Sequence, residues 1–188
     1  MNVLSRIRTI PQSLRFGAAA LAVVLLCGCP APPATVPQVD LDRYAGLWYQ
    51  VAGYPFFPTR NLVGITAEYT LLDDGTVQVV NRGFVGDFDG EEDVIEGIAR
   101  VVDPQTNAKL AVRFPSILGG LFEGEYWIIA LDQEDYSYAV VSDSGRSTLF
   151  ILSRTPALDG GLLDVLLDDL VARGYDRDRI VLFPQPGP

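Results

Sequence analysis

The stretch Gly46-Leu47-Trp48-Tyr49-Gln50-Val51-Ala52 decides the fold, because it begins a strand directly after a short turn segment. A glycine two residues before a tryptophan lets the backbone bend sharply and direct the indole inward at one end of a barrel. A buried indole also carries one N–H group that needs a hydrogen-bond partner. We therefore expect Gly46 and Trp48 to close one end of a β-barrel.

A second stretch, Phe150-Ile151-Leu152-Ser153-Arg154-Thr155-Pro156, is the natural partner of the first. It ends a strand on an arginine, and Pro156 stops the hydrogen-bond ladder soon afterwards. An inward-facing Arg154 can stack on the Trp48 indole, a contact worth about 1–2 kcal/mol when it is desolvated. It can also bind backbone carbonyl groups at the barrel floor. We interpret Gly46, Trp48 and Arg154 as structural residues of barrel closure and not as ligand contacts.

Strand-like segments follow one another at hairpin-like spacing, which predicts an all-β fold, an eight-stranded antiparallel up-and-down β-barrel. Apolar residues then recur at helical spacing in residues 158–174, which predicts one C-terminal α-helix. Residues 180–183 form a short ninth strand beside the first, and residues 184–188 form a frayed tail. The eight barrel strands are expected at residues 48–54, 63–72, 76–84, 94–103, 108–114, 125–131, 136–142 and 148–154.

Three segments in this order and spacing carry a family resemblance: residues 42–49 (DRYAGLWY), 127–132 (WIIALD) and 151–156 (ILSRTP). Together they resemble the lipocalin family, and within it the bacterial outer-membrane lipoproteins related to apolipoprotein D. The resemblance covers residues 38–184 and implies that the C-terminal helix packs outside the barrel. It implies a membrane-anchored protein that binds or transports small hydrophobic ligands, fatty acids or lysophospholipids, in envelope lipid maintenance or stress, and that is not an enzyme. The alternative is a filled barrel that acts as an envelope interaction or structural module without a ligand.

The first 29 residues contain three arginines, about eleven apolar residues and a Leu26-Cys27-Gly28-Cys29 ending. Eleven apolar residues are too few to span a bilayer, so this is a secretory signal. The small residue before Cys29 predicts a lipoprotein signal peptide at residues 1–28 and lipidation of Cys29; the alternative is an ordinary cleaved signal with incidental cysteines. Residues 29–37 are Pro-rich and read as an extended tether, followed by the lipocalin domain at residues 38–188.

The predicted location is the outer membrane of a Gram-negative bacterium, with the lipid-anchored domain facing the periplasm. Without the signal segment, 11 basic residues face 24 acidic ones. This balance argues against nucleic acid and against electrostatic docking on anionic lipid, so the membrane is contacted through the acyl anchor. The sequence leaves the oligomeric state open between a monomer and a weak dimer.

The residue types that most catalytic and metal sites need are missing. The chain contains no histidine, and the only cysteines are Cys27 and Cys29. A histidine base, a cysteine nucleophile and a zinc site are therefore excluded for the exported chain, and we expect no catalytic residue, no metal and no cofactor. The acidic pairs, such as Asp73-Asp74, lie in turns and read as solvated charge.

Aromatic and aliphatic side chains provide the positive signal for binding. Small residues at one parity of the fourth strand, Gly97 and Ala99, are expected to leave volume inside the barrel. Aromatic residues near loops are expected at one rim, as a cavity entrance, as a partner or membrane contact, or as loop packing. Alternatively, the inward residues fill an ordinary core. The predicted ligand-binding residues are Tyr54, Phe57, Tyr69, Val79, Ala99, Val112, Phe114, Tyr126, Ile128 and Phe150.

Overall fold

Strands dominate the part of the chain that the structure describes. The computed structural model describes residues 31–55, 59, 61–115 and 121–187, with the backbone alone for residues 121 and 122. The strands are β1 (Gly46–Gly53), β2 (Leu62–Leu71), β3 (Val77–Val85), β4 (Glu92–Val101), β5 (Lys109–Pro115), β6 (Leu121–Leu131), β7 (Tyr138–Ser142), β8 (Leu149–Ser153) and β9 (Val181–Leu182). The helices are α1 (Leu41–Tyr44), α2 (Gly160–Ala172) and a 3-10 turn at Arg177–Arg179.

The sheet closes on itself through β1. Consecutive strands from β2 to β8 pair antiparallel, and β1 pairs with β8 on one side and with β2 on the other. The short β9 pairs with β1 through Ala52 and Gly53. The predicted eight-stranded up-and-down barrel and its ninth strand are therefore confirmed.

Two hydrophobic cores lie on opposite faces of the barrel wall. The interior core contains alternate residues of every barrel strand, among them Val79, Val112 and Leu152. The outer core lies between α2 and the wall, where Leu166 and Leu170 join a cluster with Ile151. Strands β6 to β8 are thus buried on both faces, which explains why their sequences are apolar at successive positions.

Helix α2 begins and ends at the residues that its sequence suggests. The carboxylate of Asp159 accepts a hydrogen bond from the Leu162 N–H, which makes Asp159 the N-cap. Gly174 follows the last turn with φ +86°, the left-handed conformation that favours glycine at a helix end. No helix in the described ranges has both the length and the apolar run that crossing a bilayer requires.

A bulge in β1 corrects the predicted direction of two side chains. The pairing of β1 with β8 shifts register between Gln50 and Ala52, so that Val51 and Ala52 both join the outer core. Beyond the bulge the alternation is reversed, because one extra residue in a strand exchanges its two faces. Tyr54 therefore packs outside the barrel, and its hydroxyl accepts a hydrogen bond from the Asp176 N–H. The prediction that Tyr54 lines the interior is wrong.

Both ends of the described chain pack on the barrel more closely than the sequence suggests. Pro33 and Val36 are buried, and the Val36 N–H donates to the Ile128 carbonyl oxygen at 3.0 Å. The docked part thus begins inside the segment 29–37 that was predicted to be a tether. At the other end, the Pro184 carbonyl oxygen accepts from the Gly64 N–H at 2.8 Å, so the predicted frayed tail is wrong at this residue.

Candidate functional site: the barrel interior and its floor

The floor of the barrel is built around the indole of Trp48. This side chain is fully buried, and its Nε1–H donates to the Tyr44 carbonyl oxygen at 2.8 Å. The Arg154 guanidinium lies 3.8 Å from the centre of the Trp48 ring system, which is cation–π geometry. The predicted stack of Arg154 on Trp48 is therefore present.

Arg154 also ties the entry of the first strand to the end of the last barrel strand. Gly46 has φ +91°, and a Cβ atom built on it would lie 3.5 Å from Arg154 Nη1. Burial lowers the pKa of Arg154 from its usual value, and hydrogen bonds to neutral carbonyl groups compensate for the lost hydration. The guanidinium donates over 2.7 to 3.4 Å to the carbonyl oxygens of Arg43, Tyr44, Ala45, Leu47 and Tyr136.

Above the floor, three tyrosine hydroxyls form a hydrogen-bonded chain inside the barrel. The Tyr126 hydroxyl lies 2.8 Å from the Tyr44 hydroxyl and 2.8 Å from the Tyr69 hydroxyl. Burial raises the pKa of Tyr69 to about 12, and it raises the pKa of Tyr44 and of Tyr126 well above the ordinary value. All three hydroxyls are therefore protonated and neutral at physiological pH.

Most of the predicted ligand-binding residues come together in the interior core. Of the ten, Tyr54 lies outside the barrel, and Phe57 lies outside the described residues. The ligand-binding role of the eight residues that lie in the interior stays a prediction, because position alone does not establish a contact with ligand. The eight that share the interior are Tyr69, Val79, Ala99, Val112, Phe114, Tyr126, Ile128 and Phe150.

A small void lies in the lower half of the barrel, among the described residues. Its volume is about 20 Å³, enough for a single water molecule but not for an acyl chain. The side chains that line it are those of Leu41, Tyr44, Tyr69, Val77, Val79, Ala99, Leu110, Val112 and Tyr126, with Ala45.

One expected source of volume is filled by a neighbouring side chain. A Cβ atom on Gly97 would lie 2.6 Å from Cδ1 of Phe114, the residue opposite it on β5. The expectation that Gly97 leaves room for a ligand is therefore wrong, because the Phe114 ring already occupies that space.

The upper half of the barrel is more accessible. Ile95 shares the inward parity of Gly97 and Ala99, yet 40% of it is exposed. Phe114, Tyr126 and Phe150 are half-buried on the same inner surface. Solvent thus reaches apolar side chains on the inward face of the upper strands.

Two of the aromatic residues near loops, Phe84 and Phe88, pack outside the wall and not at a cavity entrance. Gly64 lies against the rings of Phe84 and Phe88, with Cβ approaches of 3.2 and 3.4 Å. Phe84 has the parity of the outward-facing Arg82, so this ring covers the outside of β2 and β3 and not the cavity entrance. An open depression of about 690 Å³ lies nearby, lined by Pro55, Asn61, Leu62, Val63, Val85, Gly86, Val181, Leu182, Phe183 and Pro184.

Tyr44 is one of the interior residues that the predicted set missed, together with Leu41, Val77 and Leu110. It lies on helix α1, so the alternation of strand residues does not predict its direction. Its ring centre is 5.0 Å from that of Trp48, four residues later in the chain. The signal was the N-cap Asp40, which starts a helical turn and places Tyr44 over the floor. Among the described residues, no group of three or more His, Cys, Asp or Glu side chains is arranged to hold a metal ion.

A closed antiparallel barrel with an apolar interior and a helix against its outside defines a class of small-ligand-binding β-barrel proteins. Sequence comparison identifies the particular family: residues 39–185 match the family profile described as "Lipocalin-like domain". The chain belongs to the lipocalin family. Membership in this family implies the binding of small hydrophobic ligands, and its members are typically carriers and not enzymes.

Bacterial and animal relatives match over most of their length. Outer membrane lipoprotein Blc of Vibrio cholerae is 39% identical, with 88% of this chain and 95% of the relative covered. Outer membrane lipoprotein Blc of Escherichia coli is 37% identical, with 90% and 94% covered. Mouse apolipoprotein D is 30% identical, with 84% and 82% covered.

Solved structures share the fold at lower sequence identity. Insecticyanin from the tobacco hornworm Manduca sexta superposes with a TM-score of 0.66 at 19% identity, covering 85% of this chain and 87% of the neighbour. Lobster apocrustacyanin A1 gives a TM-score of 0.58 at 19% identity, covering 86% and 94%. These likenesses show the fold alone.

Proposed function

We propose that the chain is an envelope lipocalin that binds fatty acids or lysophospholipids in the upper half of its barrel, in support of lipid maintenance or stress responses. The observation that carries the proposal is the half-buried inner surface of Phe114, Tyr126 and Phe150, with Ile95 exposed beside it. An acyl chain on this surface gains about 0.8 kcal/mol for each methylene that it buries, so a dozen methylenes outweigh ordinary association costs.

The experiment is a titration of the chain from Ala31 onward with a fluorescent long-chain fatty acid. All hydrogen bonds and both cores described above lie within this segment, so it holds its own fold. We expect saturable binding, and Phe150→Asp should weaken it at least tenfold by placing a charge on an apolar inner wall.

The matched control for this titration is Ile98→Asp, because Ile98 lies on the outer face of β4 and is 44% exposed. It introduces the same charge outside the barrel and should leave the affinity unchanged. Equal affinity in the two variants would contradict the assignment of the binding surface to the barrel interior.

The second part of the proposal is the anchor, in which an acylated Cys29 holds the domain at the outer membrane on its periplasmic side. The names of the bacterial relatives, which are outer membrane lipoproteins, support this part. The test is incorporation of labelled palmitate in living cells. Cys29→Ser should abolish labelling, and Cys27→Ser is the matched control that should retain it. Labelling that survives in the Cys29 variant would refute the anchor.

One observation favours a second function, the filled-barrel interaction module. The lower void of about 20 Å³ accommodates no acyl chain. Mass spectrometry of lipids that copurify with the detergent-free chain distinguishes the two. A bound lipid at near-stoichiometric level supports the carrier, and an empty barrel together with no probe binding supports the module.

A further inference from the structure

Gln50 is a buried amide on the inner face of the barrel. It lies opposite Leu152 in the pairing of β1 with β8, and it precedes the bulge, so it shares the inward face of Trp48. Only 5% of the residue is exposed. Its Nε2 atom has no hydrogen-bond partner.

The two buried serines are hydrogen-bonded: Ser142 Oγ donates to the Thr148 carbonyl oxygen at 2.8 Å, and Ser153 Oγ lies 3.2 Å from Thr155 Oγ1. Among the described residues, Thr59 Oγ1, Tyr175 Oη and Gln185 Oε1 are also buried without a partner, and Tyr175 belongs to the outer core. Gln50 differs from these in sharing the inward face of Trp48, with two N–H groups towards an apolar interior and no acceptor. A buried donor without a partner destabilises the fold, so a bound group that accepts its hydrogen bond is favoured at this position.

The tyrosine chain beside the void supplies a further donor. Tyr44, Tyr69 and Tyr126 carry three O–H protons, and the two contacts between them use only two. The third proton has no other acceptor in the contacts of the described residues. The interior thus holds unpaired donors at two places, Gln50 on the inward face of Trp48 and the tyrosine chain of the interior core.

The acceptor that this surface fits is neutral. None of the buried polar side chains in the described ranges is charged. The Arg154 guanidinium stacks on the Trp48 ring and donates its N–H groups to backbone carbonyls. An ionised carboxylate would lose its hydration here without gaining a cation as a partner. The cost of desolvation is much smaller for a hydroxyl, ester or keto oxygen.

We propose that Gln50, together with the spare tyrosine hydroxyl, selects amphiphiles that carry a neutral oxygen near the inner end of the acyl chain. The inference rests on the proposed function, because it requires an acyl chain in the barrel. Gln50 is then the residue that determines specificity, and a neutral oxygen of the ligand is the group that it binds.

The experiment compares two probes, hexadecanoic acid and 16-hydroxyhexadecanoic acid, by calorimetric titration of the chain from Ala31 onward. The two probes differ in one terminal hydroxyl. We expect the hydroxylated acid to bind about tenfold more tightly, because it satisfies a donor that the plain acid leaves unpaired. In Gln50→Leu, which keeps the volume and removes the amide, this ratio should fall to about one.

Gln78→Leu is the matched control, since Gln78 lies on β3 at the opposite parity from Val77 and Val79 of the interior core. It removes the same amide from the outer face and should leave the tenfold ratio unchanged. A second measurement needs no folded variant: the side-chain amide signals of Gln50 in a ¹⁵N correlation spectrum should shift with the hydroxylated acid and stay in place with hexadecanoic acid.

The outcomes separate this inference from the proposed function. If hexadecanoic acid binds but the hydroxylated acid gains nothing, or the gain survives in Gln50→Leu, the inference is overturned, the amide holds a buried water, and the carrier function stands. If neither acid binds, the carrier function fails, and the inference fails with it.

Discussion

The floor of the barrel and the wall above it differ in how completely their polar groups are paired. At the floor, the Trp48 indole N–H and the Arg154 guanidinium all donate to backbone carbonyl oxygens. Above the floor, Gln50 Nε2 and Gln185 Oε1 are buried without partners, and β1 and β2 pair only as far as Tyr49 and Thr66. The floor therefore concentrates stability, while the wall above it keeps unpaired polar groups and, in its upper half, accessible apolar surface.

The largest expected effect is the loss of the floor indole. Trp48→Ala should lower the free energy of unfolding by about 3–5 kcal/mol, because it leaves a large cavity and removes the face on which Arg154 stacks. Urea unfolding monitored by circular dichroism measures this loss.

The other tryptophan provides the matched control. Trp127 is half-buried on the outer face with the Lys109 ammonium 4.1 Å from its ring centre, and Trp127→Ala should cost about 1 kcal/mol. Equal losses would show that the floor is not the more stable region.

The buried tyrosine chain should make the free energy of unfolding depend on pH in the alkaline range. Burial raises the pKa of Tyr69 to about 12, whereas an unfolded tyrosine titrates near 10. The folded state thus keeps a proton that the unfolded state has lost, so this contribution is fully present below about pH 10 and is lost as the pH rises towards 12. The expected loss is about 2–3 kcal/mol for Tyr69, and the raised pKa values of Tyr44 and Tyr126 act in the same direction.

Stability measured from pH 9 to pH 12 tests this expectation, with a variant that removes one hydroxyl and keeps the ring. Tyr69→Phe should flatten the fall in stability over this range. Tyr49→Phe, which removes a hydroxyl from the outer core, should keep the slope of the parent chain. If the Tyr69 variant shows the full slope, the hydroxyl is not held in a low-dielectric interior.

The sequence predicted the floor better than the upper half, for a physical reason. The floor depends on residue types with few alternatives: a glycine at φ +91°, an indole and a guanidinium, each quoted in a motif. The upper half depends on backbone irregularities that the alternation of apolar and polar residues in the sequence does not reveal. The bulge at Gln50 to Ala52 reversed the direction of Tyr54, and a second register shift in β2 lies between Val63 and Thr66.

Packing between strands was the other limit on what the sequence reveals. Small residues such as Gly97 indicate space, but only the partner strand shows whether another side chain occupies it, as Phe114 does. In contrast, the eight predicted residues that lie in the interior follow plain alternation on their strands, and the register shift of β6 comes only after Ile128. The antiparallel strand order followed from turn spacing and the helix from periodicity, whereas the position of the helix outside the barrel followed from the family resemblance.

The smallest expected effect lies at the top of the wall, where the C-terminal segment bridges β1 and β2. The Phe183 N–H donates to the Val51 carbonyl oxygen at 3.0 Å, and Gln185 Nε2 donates to the carbonyl oxygens of Gln50 at 2.7 Å and Ile65 at 3.0 Å. These bonds take the place of the ladder that the two bulges interrupt. Gln185→Ala should therefore reduce the free energy of unfolding by only about 1 kcal/mol, since other bonds of the segment remain.

Gln185→Ala should affect local opening of the wall more than it affects global unfolding. The Gly64 N–H, which donates to the Pro184 carbonyl oxygen, should exchange with solvent about tenfold faster in Gln185→Ala, because the wall opens locally without global unfolding. Amides of the floor, such as Ala45, which donates to the Leu41 carbonyl oxygen, should keep their protection. Gln78→Ala, which removes an amide from the outer face of β3, should change neither. Faster exchange at both ends together would mean that the wall and the floor open as one unit, and the distinction between a stable floor and an adaptable upper half would not hold.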